Sequence, residues 1–228
     1  MFSREIILTS DGSSSLYIPE WGESYHSRHG AIQEAFHVFI RNGLDLSVSE
    51  KINILEMGFG TGLNALITFQ QSQIKGLEIH YTGLEKFPIS NEEFQQLNYV
   101  NELHRLQPDF EPGVLEPVYE KLVSADWEKE IQIGKNFKLH KIQADFLEFN
   151  YPESQFDLVY FDAFGARVQP ELWTEELFEK LYRSMTPGGF FTTYSAKGSV
   201  RRALVSVGFE VRKRPGPPGK REMLTAKK

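Results

Sequence analysis

Four carboxylates, Glu56, Glu85, Asp145 and Asp162, each close or follow a short apolar run, and Gly58-x-Gly60-x-Gly62 comes directly after the first of them. Glycines at alternate positions let a backbone turn tightly and let a ligand lie close against it. Carboxylates at strand ends can accept hydrogen bonds from ribose hydroxyls or from an ammonium group. The glycine spacing differs from the dinucleotide fingerprint, and the lysine of a Walker loop is absent, so a pyrophosphate is not the indicated ligand. An adenosine carrying an amino-acid tail is the better match. Glu56 and the loop amides can hold its ammonium and carboxylate. Glu85, 29 residues beyond Glu56, can hold both ribose hydroxyls, and Asp145 can reach an adenine amino group. The plainer readings are a ligand-free glycine turn, a surface ion pair between Glu85 and Lys86, and a helix-capping role for Asp162.

These residues need a frame. Ile52 to Leu55 reads as a buried strand, and Leu63 to about Gln73 as the helix that follows the glycines. Further strands are expected at Leu77–Leu84, Phe137–Ile142, Phe156–Phe161, Phe190–Tyr194, Phe209–Arg212 and Met223–Ala226, with helices over Glu171–Met185 and Val200–Val207. Strands alternating with helices predict a doubly wound α/β fold: a seven-stranded, mostly parallel sheet with helices on both faces. Ligands in such sheets sit beyond the carboxyl ends of the strands, where all four carboxylates fall.

Residues 1–50 read as an extension. It holds a hairpin, Glu5–Thr9 with Ser15–Ile18 around Asp11-Gly12, and a helix over Ala31–Asn42. Residues 91–136 read as a helical insertion, with Ser90 as N-cap, breaks at Pro108, Pro112-Gly113 and Pro117, and a later helix over Tyr119–Glu130. His26 and His29 stand three apart without a further cluster, which is too little for a metal site, and no metal is expected.

The chain has 228 residues, enough for one domain spanning 1–228, and no cysteine, which excludes disulfides, thiolate zinc sites and cysteine nucleophiles. No apolar run reaches membrane-spanning length and the start lacks a signal-peptide core, so the expectation is a cytoplasmic protein without a membrane partner. Net charge is −6, but Lys197 to Lys228 holds ten basic residues against two acidic ones, a net of +8 against −14 for the rest. That asymmetry suits a local site for a polyanion, or simply a solvated basic end.

The acidic-x-G-x-G-x-G string from Glu56 resembles motif I of the class I S-adenosylmethionine-dependent methyltransferases. Further stretches narrow the likeness. These are Tyr25-His-Ser, Val38-Phe-Ile-x-x-Gly43, Asp162-Ala-Phe-Gly-x-x-x-x-Pro170-x-x-Trp173-Thr174 and Lys220-Arg-Glu-Met-Leu224. Together with Gly58-Phe-Gly-Thr-Gly-Leu-Asn64 they are similar to the methyltransferase half of the bifunctional tRNA 5-methylaminomethyl-2-thiouridine biosynthesis proteins (MnmC) and to its stand-alone form (MnmD). The family commonly has Asp-Gly-Phe-Ala-Pro where this chain has Asp162-Ala-Phe-Gly-Ala166.

The resemblance implies S-adenosyl-L-methionine as cofactor, held by Glu56, Gly58, Phe59, Gly60, Thr61, Gly62, Asn64, Glu85, Lys86, Asp145, Phe146 and Asp162. It implies methyl transfer to the exocyclic amine of 5-aminomethyl-(2-thio)uridine at the tRNA wobble position, with a separate enzyme supplying the aminomethyl group. Asp162 would accept the amine's proton, and Tyr25, Phe164, Trp173, Lys220 and Arg221 would meet the substrate. Core packing is an equal reading for Trp173. Asp-Ala-Phe-Gly also resembles a loop of spermidine synthase-type aminopropyltransferases. Transfer to a small-molecule amine is therefore an alternative, as is a methyltransferase-like protein that only binds nucleotide or RNA.

Overall fold

The computed structural model describes residues 2–108, 110–111 and 113–228. The chain begins with a small antiparallel sheet of β1 (Glu5–Leu8), β2 (Ser14–Ile18) and β3 (Glu23–Ser24). Helix α1 (Ala31–Ala35) runs on into a π-helical segment, Phe36–Arg41, so the expected single α-helix widens halfway. The main sheet then starts with β4 (Lys51–Met57), α2 (Leu63–Lys75) and β5 (Glu78–Glu85). Next come α3 (Asn91–Gln95), α4 (Tyr99–Leu106) and α5 (Leu115–Ser124). The rest is β6 (Glu130–Gly134), β7 (Phe137–Gln143), β8 (Phe156–Phe161), α6 (Glu175–Ser184), β9 (Met185–Thr193), α7 (Gly198–Ser206), β10 (Glu210–Pro215) and β11 (Glu222–Lys227).

The main sheet has the order β10-β11-β9-β8-β4-β5-β7-β6. Its five central strands, β7 to β9 through β4, run parallel, while β6, β11 and β10 pair antiparallel. The sheet thus has eight strands, one more than expected. The additional one, β6, lies in the stretch read as the tail of a helical insertion. It is an edge strand with only Ile133 buried, so its sequence lacks the apolar run that marks a central strand.

Helix α5 also starts four residues earlier than expected, and Pro117 sits inside its first turn. The first N–H groups of a helix have no intrahelical acceptor, so a proline there costs no hydrogen bond. Ser90 caps α3 in a full capping box with Glu93. Pro112, read as part of a helix break, lies outside the described residues.

Alternation along the strands sorts the core into two layers. Ile52 and Ile54 of β4 pack with Leu66 of α2, Leu103 of α4 and Leu122 of α5. Leu55 and Met57 pack on the opposite face with Leu177 and Leu181 of α6 and Leu204 of α7. Each such fully buried side chain contributes about 1.5–3 kcal/mol of transfer free energy.

Register then sets the rim. Met57 of β4 pairs with Leu84 of β5 and Phe161 of β8, and Leu84 pairs with Ile142 of β7. The residues just past this row are Gly58, Glu85, Asp162 and the Gln143–Asp145 corner, so β5, β7 and β8 deliver three carboxylates to the edge where β4 delivers the glycine loop.

Candidate active site

A cavity of about 440 Å³ lies above that edge. This volume is in the range of small-molecule sites. Its floor is the loop between β4 and α2. Gly58 and Phe59 donate their N–H groups to Leu84 O at 3.0 and 2.9 Å, which ties the loop to the end of β5. Gly58 has φ +100°, and a Cβ there would stand 3.0 Å from Asp162 O. Gly60 has φ +49°, and a Cβ there would meet the Tyr25 ring at 3.2 Å. Both positions demand the left-handed region and both keep backbone exposed to the cavity.

Glu85 stands at one end. Its Oε2 accepts from Gly60 N at 3.0 Å and its Oε1 from Phe87 N at 2.8 Å, while burial raises its proton affinity. Lys86 Nζ lies 2.6 Å from Asp145 Oδ2, which lowers the pKa of that carboxyl. The other end is built around Asp162, whose N–H donates to Met57 O at 3.0 Å. Asn64, on the first turn of α2, donates its Nδ2 both to Glu56 Oε1 at 2.8 Å and to Asp162 Oδ2 at 2.9 Å. Burial pushes the Asp162 carboxyl well above its ordinary range. Nearby Glu34 adds to that, while the Asn64 hydrogen bond and the Lys220 charge oppose it.

Beyond Asp162 the wall is aromatic. Phe164 meets both Trp21 and Tyr25 edge to face, each with ring centroids 5.1 Å apart. Tyr194 donates its hydroxyl to Ala163 O at 2.8 Å. Lys220 closes this side, with Nζ 2.6 Å from Glu34 Oε1 and 4.0 Å from the centre of the Tyr194 ring.

Helices α4 and α5 brace the floor from behind. Tyr99 OH donates to Thr61 Oγ1 at 3.2 Å and Tyr119 OH to Thr61 O at 3.0 Å. Lys141 is buried with its Nζ 2.7 Å from Val123 O at the end of α5, between the rings of Trp127 and Phe59. Desolvation lowers its pKa to about 8.

Most residues singled out from the sequence meet here. Gly58, Phe59, Gly60, Thr61 and Asn64 line the cavity. So do Glu85, Lys86, Asp145, Phe146 and Asp162, and on the far side Tyr25, Phe164 and Lys220. Four do not. Glu56 is fully buried beneath Asn64 and reaches the cavity only through it. Gly62 is the N-cap position of α2. Trp173 is 7% exposed, packs on Phe161 and donates Nε1 to Phe164 O at 2.8 Å, so it supports the wall from the core. Arg221 is exposed on the outer surface.

Glu34, Tyr194 and Trp21 also line the cavity and were not singled out. Glu34 left a trace in the sequence, since it falls in the stripe Ala31–Glu34–Ala35–Val38, where a charge interrupts an apolar helix face. Among the described residues, no three His, Cys, Asp or Glu gather as a metal site, and no helix is long and apolar enough to cross a membrane.

The strand order, the glycine loop entering α2 and the rim of carboxylates define a Rossmann-like class I methyltransferase fold. Residues 116–228 match the family described as S-adenosyl-L-methionine-dependent methyltransferase. It is 32% identical over 214 residues to the tRNA 5-methylaminomethyl-2-thiouridine biosynthesis bifunctional protein MnmC of Chromobacterium violaceum, covering 89% of this chain and 32% of that protein. The chain thus spans about a third of the length of the curated relatives it matches. The crystal structure of MNMC2 from Aquifex aeolicus superposes with a TM-score of 0.78 at 27% identity, covering 99% of this chain and 70% of that one. The spermidine synthase of Thermotoga maritima shares the fold alone, with a TM-score of 0.52 at 12% identity over 99% of this chain and 73% of that one.

Proposed function

We propose that this chain methylates the primary amine of 5-aminomethyl-(2-thio)uridine at the wobble position of tRNA, giving 5-methylaminomethyl-(2-thio)uridine. The observation that carries this reading is the place of Asp162. It stands between a glycine-floored half of the cavity and an aromatic half, held by Asn64.

The residues present fit S-adenosylmethionine. Gly58 and Gly60 line the cavity without side chains, at positions where a Cβ would press on Asp162 O and on the Tyr25 ring. Glu85 offers a carboxylate for ribose hydroxyls, and Asp145 with Lys86 offers a polar end for adenine. Asn64 Oδ1 is buried with no partner among the described residues, an acceptor suited to the ammonium of the amino-acid tail. Phe59, Thr61 and Phe146 supply contact surface, while Glu56 and Gly62 act from beneath, Glu56 by fixing Asn64. When bound, the cofactor supplies a methyl group on a sulfonium sulfur.

Asp162 does two things. It holds the substrate nitrogen in line, and it accepts the proton that an alkylammonium must lose before its lone pair can attack. Burial raises its proton affinity, the direction that favours taking up a proton. Tyr25, Phe164 and Trp21 offer ring faces and edges to a base drawn out of the anticodon stack. Trp173 holds Phe164 in place. Arg221, with Arg201 and Arg202, offers surface charge to phosphates. In this reading a separate enzyme supplies the aminomethyl group, and the reaction belongs to the cytoplasm.

The test is mass analysis of nucleosides from aminomethyl-containing tRNA incubated with protein and S-adenosylmethionine. A gain of one methyl group on that nucleoside is the expected result. Methylation of free amines but not of tRNA would sink the reading.

A further inference from the structure

We propose that Lys220 reads the C4 carbonyl of the target pyrimidine and so makes the site select uridine over cytidine. The inference rests on the substrate reading above and deepens it.

The covalent structure of the substrate sets the problem. Its amine hangs from C5, so the ring atoms beside it are C4 and C6. With the amine at Asp162, the exocyclic group on C4 is the polar atom nearest to the reacting nitrogen. Uridine carries a carbonyl acceptor there and cytidine an amino donor. A side chain near Asp162 that only donates would accept the first and reject the second.

Lys220 meets that description. An ammonium has three donors and no acceptor. Its Nζ stands on the wall of the same cavity as Asp162, close enough for its charge to act on that carboxyl. It is not a loose surface lysine, since its side chain is only 34% exposed. Lys220 Nζ donates one hydrogen bond to Glu34 Oε1 at 2.6 Å, and the Tyr194 ring lies 4.0 Å from the nitrogen. Glu34 is in turn anchored, because its Oε2 accepts from Ser27 N at 2.8 Å. Both carboxylate oxygens are therefore engaged by the protein. Glu34 is the positioning residue, and Lys220 keeps donor capacity for a ligand.

The backbone around Lys220 is tied down as well. Gly216 N donates to Arg221 O at 3.1 Å, and Lys220 N to Pro217 O at 2.9 Å. His37 Nε2 lies 2.7 Å from Pro215 O, which docks the end of β10, where the connection to β11 begins, on the π-helical segment. Such bracing is what a selective hydrogen bond requires, since a donor free to swing would tolerate either base. The competing account is that Lys220 and Glu34 form only a strut joining that connection to α1.

Two anticodon stem-loop RNAs separate these accounts, one with 5-aminomethyluridine and one with 5-aminomethylcytidine at the wobble position. Single-turnover methylation of each is measured for wild type and Lys220→Met, beside a melting curve and the affinity for S-adenosylhomocysteine. Wild type should strongly prefer the uridine RNA. Lys220→Met keeps an apolar stem on Tyr194 and should lower the uridine rate by about 10- to 100-fold, the worth of one charged hydrogen bond. It should not lower the cytidine rate, so the preference narrows, and S-adenosylhomocysteine should bind as before. Lys220→Arg should recover part of the preference.

If Lys220→Met is unfolded, Glu34→Gln carries the test. It keeps an acceptor for Ser27, removes the charge that holds the ammonium, and should narrow the same ratio. An unchanged ratio in a folded variant, with both rates falling together, means a strut and overturns the proposal. A wild type that methylates neither RNA overturns the substrate reading itself.

Discussion

Glu56 and Asp162 accept hydrogen bonds from the same nitrogen, Asn64 Nδ2, at 2.8 and 2.9 Å. Glu56 is the last residue but one of β4 and Asp162 follows the neighbouring strand β8, so a buried acid and a cavity acid are coupled through a single amide. Two acceptors facing one NH2 group also fix which way the amide points. Burial raises the proton affinity of both carboxyls, and the Asn64 bond works against that in each.

Asn64→Ala should therefore damage stability and rate together. It leaves Glu56 without a side-chain donor in a fully buried place and frees Asp162 to turn. The loss of a hydrogen bond to a charged group is worth about 1.5–3 kcal/mol. Urea unfolding should show a fall of that order, and single-turnover methylation should fall as well. A variant with wild-type stability and wild-type rate would remove Asn64 from the machinery.

Asp162→Asn should uncouple stability from chemistry. The folded-state pKa of Asp162 is raised, so the native state binds its proton more tightly than the unfolded chain does. The stability that this proton confers is fully present below the unfolded pKa and is lost as pH rises through the folded one. Asparagine escapes that loss while still accepting from Asn64. Its melting temperature should exceed that of wild type above neutral pH, and the gap should close toward pH 4. Methyl transfer should fall by about two to four orders of magnitude, the usual worth of a positioned base. Rising pH should partly rescue it as solvent deprotonates the amine. A stable Asp162→Asn protein with near-normal turnover would leave deprotonation to solvent.

Legibility in the sequence followed burial. Phe156–Phe161 is buried on both faces, and its apolar run marks β8 to the residue. Edge strand β6 has one buried side chain and reads as polar helix. The site divides in the same way. Gly58 to Asn64, Glu85 and Asp162 announce themselves because strand ends and glycines carry local signals. The Glu34–Lys220 pair spans 186 residues, and no local pattern relates its members. Lys220 stood out as a substrate contact only through the resemblance of Lys220–Leu224, beside Arg221, and it is the fold that turns Lys220 inward and leaves Arg221 on the surface. The tie from Tyr99 and Tyr119 to Thr61 is equally non-local, which is why the insertion carried no readable chemistry.

Gly60→Val should abolish cofactor binding without unfolding the protein. Its φ of +49° disfavours a β-branched residue, and the new Cβ would stand 3.2 Å from the Tyr25 ring, where the glycine floor meets the aromatic wall. Calorimetry with S-adenosylhomocysteine is the measurement, beside a circular dichroism spectrum. Wild-type affinity in a folded variant would move the cofactor elsewhere.

Tyr119→Phe and Tyr99→Phe test whether α4 and α5 position the glycine loop. Each removes one hydroxyl that holds Thr61 and keeps the ring in the core. Each should weaken S-adenosylhomocysteine about 3- to 10-fold, the worth of an ordinary hydrogen bond. The substrate KM should hardly move, because these residues lie behind the floor and away from the aromatic wall. Equal weakening of both ligands would mean general loosening instead.

The basic end makes the last prediction. Its charges are not equivalent. Arg212 is paired with Glu210, Lys213 with Glu222 and Lys220 with Glu34. Arg201, Arg202 and Arg221, like Lys197 and Lys227, are exposed and form no ion pair among the described residues, so these charges are available to RNA phosphates. Each phosphate neutralised releases counterions, and the logarithm of affinity then falls with the logarithm of salt by about 0.7–0.9 per contact. Reversing Arg201, Arg202 and Arg221 to glutamate should flatten that slope by about two to three units and weaken tRNA most at low salt. Binding of S-adenosylhomocysteine should stay unchanged, because none of the three lines the cavity. Reversing Arg212 and Lys213, whose charges already have partners, should change the slope less. A slope that ignores the first set and answers to the second would put the tRNA backbone along β10 rather than across α7 and the β10–β11 connection.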